Sequence, residues 1–134
     1  MIPQEVKMLF GDSQLCWMAT ADAAYAPNVA PMRSVWWSDE RSLVIGDMFM
    51  KVTAANVRST GRACLGAYDP ETGRSWKMTG TATYETKGPN YDMAQTELHK
   101  KNLDKNFKGV VVFKVHAVYD QAPGQNAGNL VVKL

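Results

Sequence analysis

Cysteine and histidine are nearly missing, with two of each among 134 residues. Cys16 and Cys64 stand far apart without CxxC spacing, which suits neither a zinc site nor a disulfide framework. Both fall in apolar, strand-like runs and read as buried thiols. His99 and His116 have no acid or nucleophile at a diagnostic spacing, so a nucleophilic triad lacks its parts. No carboxylates gather beside a histidine cluster, and no metal site is expected. Catalytic side chains of the conventional kind are left unassigned.

A long apolar run is missing too, since nothing approaches the roughly 18 to 20 residues needed to span a bilayer. Glu5 and Lys7 interrupt the apolar pattern of the first ten residues, which is unlike a secretory signal. A cytoplasmic location without membrane contact is the expectation. Neither sign of charge dominates: 15 Lys and Arg face 13 Asp and Glu, for a net charge of +2. Nucleic-acid binding, which rests on clustered cations, is therefore not expected. Lys100, Lys101, Lys105 and Lys108 are dense, but Asp104 interrupts them and they read as a solvated helix face. Hydrophobic residues make up 46% of the chain, enough for one apolar core, so a single domain over 1–134 is expected.

The apolar pattern alternates between periods. Val6, Leu9 and Phe10 with Gly11 behind them predict a short opening helix. Strands are expected over 15–21, 28–37, 43–46, 62–69 and 110–119. The alternation of Trp76, Met78, Gly80, Ala82 and Tyr84 against Lys77, Thr79, Thr81, Thr83 and Glu85 predicts a half-buried antiparallel strand. A helix is expected from about Thr53 to Thr60, stopped by Gly61. A second, at 90–105, carries Tyr91, Ala94, Leu98 and the stem of Lys101 on one face. Residues 130–134 read as a possible short strand after an irregular Gly- and Asn-rich tail. The fold class predicted is mainly β with flanking helices, a six-stranded antiparallel barrel, with an α+β sandwich as the alternative.

Four tryptophans, five tyrosines, four phenylalanines and eight methionines equip the chain either to hold a planar ring or to fill a core. The most informative stretch runs from Gly46 through Asp47, Met48, Phe49, Met50, Lys51, Val52 and Thr53. There a strand breaks at a glycine and a short loop enters a helix. A helix start offers unpaired N–H groups and a positive dipole end, so this is how a phosphate seat is built, with Lys51 adding charge and Thr53 a hydroxyl. The same residues also describe an ordinary turn in which Thr53 caps the helix and Lys51 is solvated. Arg33, if its strand adjoins the one ending at Gly46, adds a bidentate cation to that seat; as a plain surface residue it does nothing there.

The segments Cys16-Trp17-Met18-Ala19-Thr20, Pro27-Asn28-Val29-Ala30-Pro31-Met32, Lys51 to Arg62 and Gly88-Pro89-Asn90-Tyr91 occur in an order and spacing that resembles the pyridoxamine 5′-phosphate oxidase-like, FMN-binding split-barrel family. The Lys-x-Thr-Ala-Ala-Asn-Val helix start is its most specific part. The resemblance implies a split barrel that binds FMN at a homodimer interface and serves as a small oxidoreductase or electron-transfer protein. It implies that Pro31, Met32, Arg33 and Ser34 line the flavin and reach its phosphate, that Gly46 and Asp47 lie beside the ring, and that Lys51 and Thr53 form the phosphate-binding turn. Trp36 or Trp76 is a candidate to cover a ring face.

Two departures from the family pattern stand out. The position before Thr53, commonly basic in relatives, is Val52. The tail at 124–129 lacks the basic, aromatic segment that would take a pyridoxamine phosphate, which argues against that substrate. A flavin or haem storage module and a deazaflavin-dependent enzyme of the same fold are the alternative functions, and the redox partner is not readable from the sequence.

Overall fold

In the computed structural model, which describes all 134 residues, the two periodicities of the sequence become eight strands and three helices. In chain order they are α1 (Gln4–Leu9), β1 (Cys16–Ala21), β2 (Pro27–Met32), β3 (Val35–Trp37), β4 (Ser42–Asp47), α2 (Val52–Thr60), β5 (Arg62–Tyr68), β6 (Ser75–Glu85), α3 (Pro89–His99), β7 (Gly109–Asp120) and β8 (Leu130–Lys133). The strands form one antiparallel sheet in the order β2-β1-β5-β6-β7-β4-β3, with β8 added to β7. The architecture is mainly β with flanking helices, as expected, but the strand count is eight rather than six.

One extra strand comes from the segment expected as a single strand over 28–37. It breaks at Arg33 and Ser34, because β2 pairs with β1 while β3 pairs with β4 on the far side of the sheet. Three virtual bonds of 3.8 Å keep Met32 and Val35 within about 11 Å of each other. The two ends of the strand order must therefore meet, and the sheet curls into a half-barrel. Ser34 C=O accepts the Gly46 N–H at 2.8 Å, tying this step to the end of β4. Alternation across 32–36 consequently fails, and Val35 and Trp36 are both buried.

The barrel interior holds the larger apolar cluster, built on Phe10, Met18, Leu43, Ile45, Leu65, Met78 and Phe113 among others. All six residues of β4 are buried, the polar Ser42 and Asp47 at its ends as well as the apolar run between them. Leu43 and Ile45 face the barrel, while Val44 joins Trp36, Ala94, Phe107 and Val110 in a second cluster under α3. Each large aliphatic or aromatic side chain enclosed this way contributes roughly 1.5–3 kcal/mol.

Helix α2 begins one residue earlier than expected and ends where Gly61 takes the left-handed conformation, φ 67°, its N–H closing on Val57 C=O at 2.9 Å. Helix α3 is shorter than expected. The apolar spacing runs out at Leu98, whose carbonyl accepts from both Lys101 and Asn102, and the chain turns back through an exposed Leu103. His99 then faces the Lys105 carbonyl at 2.9 Å, and His116 lies at a β-bulge opposite Thr79 and Gly80, its C=O accepting the Leu134 N–H at 2.8 Å. Cys16 is buried, whereas Cys64 is only half-buried; both thiols are free.

Gly46 sits where a Cβ would run into the Phe107 ring. That ring cannot retreat easily, because Phe107 is held through its N–H by Gln95 and through its C=O by the Tyr91 hydroxyl. Gly46→Ala is expected to lose about 1–3 kcal/mol of stability in urea melts, and adding Phe107→Leu should recover part of that loss. A Gly46→Ala protein as stable as the parent would contradict this account of the contact.

Candidate functional site

The step between β2 and β3, the end of β4 and the start of α2 surround a cavity of about 360 Å³. Pro31, Met32, Arg33 and Ser34 form one wall, and Gly46, Lys51 and Thr53 lie across from them. The fold thus gathers seven of the eight residues singled out in the sequence. Asp47 is the exception. It shares the strand face of Leu43 and Ile45, so its side chain turns into the barrel, where it is 1% exposed. Its oxygens accept the Tyr84 hydroxyl at 2.5 Å and the Met50 N–H at 2.8 Å, with the Lys108 ammonium 3.7 Å away.

Helix α2 opens directly onto the cavity. Its first internal bond is Ala55 N–H to Lys51 C=O at 3.0 Å. The N–H groups of Val52, Thr53 and Ala54 have no partner in the chain, and no side chain caps the helix. Thr53 is therefore not the cap. It occupies the second helical position, and its hydroxyl oxygen accepts the Asn28 amide at 3.1 Å, leaving its proton free to donate. Arg33 belongs to none of the three ion pairs of the molecule. One unpartnered guanidinium, one lysine and the open N–H groups of Val52 and Thr53 thus converge on a single concavity, an arrangement suited to an anion.

The lining also includes Met48, Phe49, Met50 and Val52 of the Gly46–Thr53 stretch, together with Asn28 and Ala30, which the sequence reading did not single out. For Asn28 a signal existed: it falls in step with Ala30 and Met32 on the inward face of β2, where a polar side chain needs a partner. Phe49 stands on the rim, 82% exposed. Neither candidate tryptophan reaches the cavity. Trp36 packs on Phe107 with ring centroids 6.2 Å apart, and Trp76 is buried beneath the Arg74 guanidinium at 4.7 Å.

A larger cleft of about 610 Å³ lies between α1 and the β5–β6 turn and shares only Arg33 with the first. Several of its charges answer one another: Arg74 pairs with Glu5 at 3.1 Å, and Asp69 is held low by the Glu71 N–H and the Thr72 hydroxyl. The helix start that borders it, that of α1, brings the carboxylate of Glu5. Trp17, Val29 and Tyr68 expose apolar surface on the outer face of β1, β2 and β5, where Trp17 stands in register with Pro31 and Gly66. No helix is long and apolar enough to cross a membrane, and no group of three His, Cys, Asp or Glu side chains is placed to hold a metal ion.

The family model described as pyridoxamine 5′-phosphate oxidase matches residues 2–122. The chain belongs to that family. Within reach of it, a protein of Methanocaldococcus jannaschii of uncharacterised function is 30% identical over 124 residues, 91% of this chain and 83% of its own. The crystal structure of HupZ from Group A Streptococcus superposes with a TM-score of 0.83 at 29% identity, covering 96% of this chain and 100% of HupZ. An FMN-binding protein from Syntrophomonas wolfei shares the family fold at 15% identity, with a TM-score of 0.69 over 78% of this chain and 75% of that one. So does HutZ, the haem storage protein of Vibrio cholerae, at 15% identity and a TM-score of 0.63, covering 97% and 93%. Both of these likenesses show the fold alone.

Burial, then the bond to Asp47 and its charge, push the Tyr84 hydroxyl up to about 12, with Arg58 over the ring acting the other way. The raised value means the folded chain favours neutral tyrosine. That contribution to stability is complete below pH 10 and fades as pH climbs toward 12. An ultraviolet titration should find one tyrosine ionising well after the others, and Tyr84→Phe should remove that late step. A Tyr84→Phe protein that keeps it would contradict the assignment.

Proposed function

We propose that the protein binds FMN in the 360 Å³ cavity and works as a small flavin-dependent oxidoreductase or electron-transfer protein, with two copies of the chain enclosing the cofactor. The observation that supports this most is the meeting of the unpaired N–H groups of Val52 and Thr53 with Arg33 and Lys51 in one concavity. The phosphate of FMN carries about −1.5 to −2 charges. Two cations and a helix start balance it, although Val52 occupies the position where relatives commonly place a base. Val52 is exposed, so Lys51 and Arg33 carry the charge between them.

The cavity falls within the range of about 300–1,000 Å³ typical of small-molecule sites. Pro31, Met32, Met48 and Met50 offer an apolar, polarisable wall for a ring system, while Thr53 and Asn28 offer hydrogen bonds. When bound, the flavin supplies hydride and single-electron transfer. The chain's own residues bind, orient and shield; none is arranged as an acid–base pair, which fits a site whose chemistry comes from its cofactor. The exposed apolar strip of Trp17, Val29 and Tyr68 continues from the Pro31 wall and favours a second copy as the cover.

The absorption spectrum of the purified protein and its titration with FMN test this reading. A flavin spectrum, or saturable FMN uptake, is expected. A Soret band, preference for a deazaflavin, or indifference to FMN would overturn it. Arg33→Ala and Lys51→Ala should each weaken FMN about tenfold while changing riboflavin much less, since charge-assisted contacts are worth about 1.5–3 kcal/mol. Equal losses for both ligands would mean that neither side chain meets the phosphate. Anaerobic reduction by NADH or NADPH would then separate an enzyme from a carrier reduced only by a protein partner.

A further inference from the structure

The loop that carries Lys51 into α2 is fastened from behind at one residue. Met50 donates its N–H to Asp47 Oδ1 at 2.8 Å, and its C=O accepts Lys108 Nζ at 3.0 Å. The same ammonium lies 3.7 Å from Asp47 Oδ1, so one cation and one carboxylate grip both ends of the residue just before Lys51. The other carboxylate oxygen accepts the Tyr84 hydroxyl, and the Tyr84 ring is covered by the Arg58 guanidinium of α2 at 4.0 Å. Three separated segments, β6, α2 and the turn before β7, thus converge on the back of one short loop.

Asp47 is the only buried carboxylate of the molecule. Enclosing a carboxylate is costly, and an apolar residue of similar volume usually serves stability as well or better. What an apolar residue would not do is accept the Met50 N–H and hold Lys108 against the Met50 carbonyl. With Met50 fixed at its N–H and C=O, the following Lys51 and the open N–H groups of Val52 and Thr53 have a set position on the cavity wall.

We infer that Asp47, Tyr84 and Lys108 form a latch that fixes the Met48–Lys51 loop and so sets the affinity of the site for a phosphate monoester. The inference rests on the FMN reading of the cavity and gives Asp47 a positioning role behind the site in place of contact with the ring. The latch acts on the phosphate end alone, so it should alter discrimination between FMN and riboflavin rather than flavin binding in general. Lys108 is half exposed, which leaves the fastening reachable from solvent while Asp47 stays enclosed.

Tyr84→Phe and Lys108→Met keep the shape of each side chain and remove one fastening each. In the ligand-free variants the Met50 amide should exchange with deuterium at least about tenfold faster than in the parent, with amides of β1 and β7 unchanged. FMN should bind about three- to tenfold more weakly and riboflavin less than twofold more weakly. Unchanged Met50 protection, or equal weakening of both flavins, would overturn the latch. A parent protein that takes up no FMN would end the cofactor reading and this inference together. A parent that binds FMN, alongside variants that bind it equally well and keep Met50 protected, would end this inference alone.

Discussion

Met32 belongs to the first strand in the sheet order and Val35 to the last, yet only Arg33 and Ser34 separate them along the chain. Everything else in the molecule accommodates that short tether. A flat seven-strand path with neighbours about 4.8 Å apart would place its ends nearly 30 Å from each other, far beyond the reach of two residues. Curling is therefore obligatory, and it creates the enclosed interior that Phe10, Met18 and Phe113 fill. The tether also passes beside the end of β4, so closing the barrel and building one cavity wall are a single event.

Strand β4 transmits that geometry to the helices. Being enclosed on both faces, it is pinned by the barrel on one side and by α3 on the other, and its last residues cannot drift. The loop leaving it inherits this rigidity through Asp47. A site built at the end of a central, doubly covered strand has its backbone donors aimed before any ligand arrives, which lowers the ordering cost of binding.

Much of this was legible in the sequence, and the misses have physical causes. The alternation from Trp76 to Glu85 and the valine-rich run in β7 signalled their strands because the fully buried residues of β6 all lie on one face and one face of β7 is enclosed from Gly109 to Ala117. Helix α2 was visible from its glycine stop. The break at Arg33 was not, because no local turn signal marks it; the break exists only because β1 and β4 compete for the same stretch from opposite ends of the sheet. Helix α3 was read too long because lysine stems can imitate an apolar face on paper, while in the structure the turn after Leu98 is closed by side chains of Gln95, His99 and Asn106. For the site, segment order was enough to bring Pro31 to Ser34 together with Gly46, Lys51 and Thr53. Asp47, expected beside the ring, turns its side chain into the barrel with Leu43 and Ile45, and Asn28 carried a signal in its step with Ala30 and Met32 that its bond to Thr53 explains.

Arg33 borders both the 360 Å³ cavity and the 610 Å³ cleft, and it is the sole residue they have in common. A single guanidinium cannot neutralise negative groups on either side at full strength. Anionic occupants of the two hollows would consequently antagonise each other without touching, each lowering the other's affinity by the same factor.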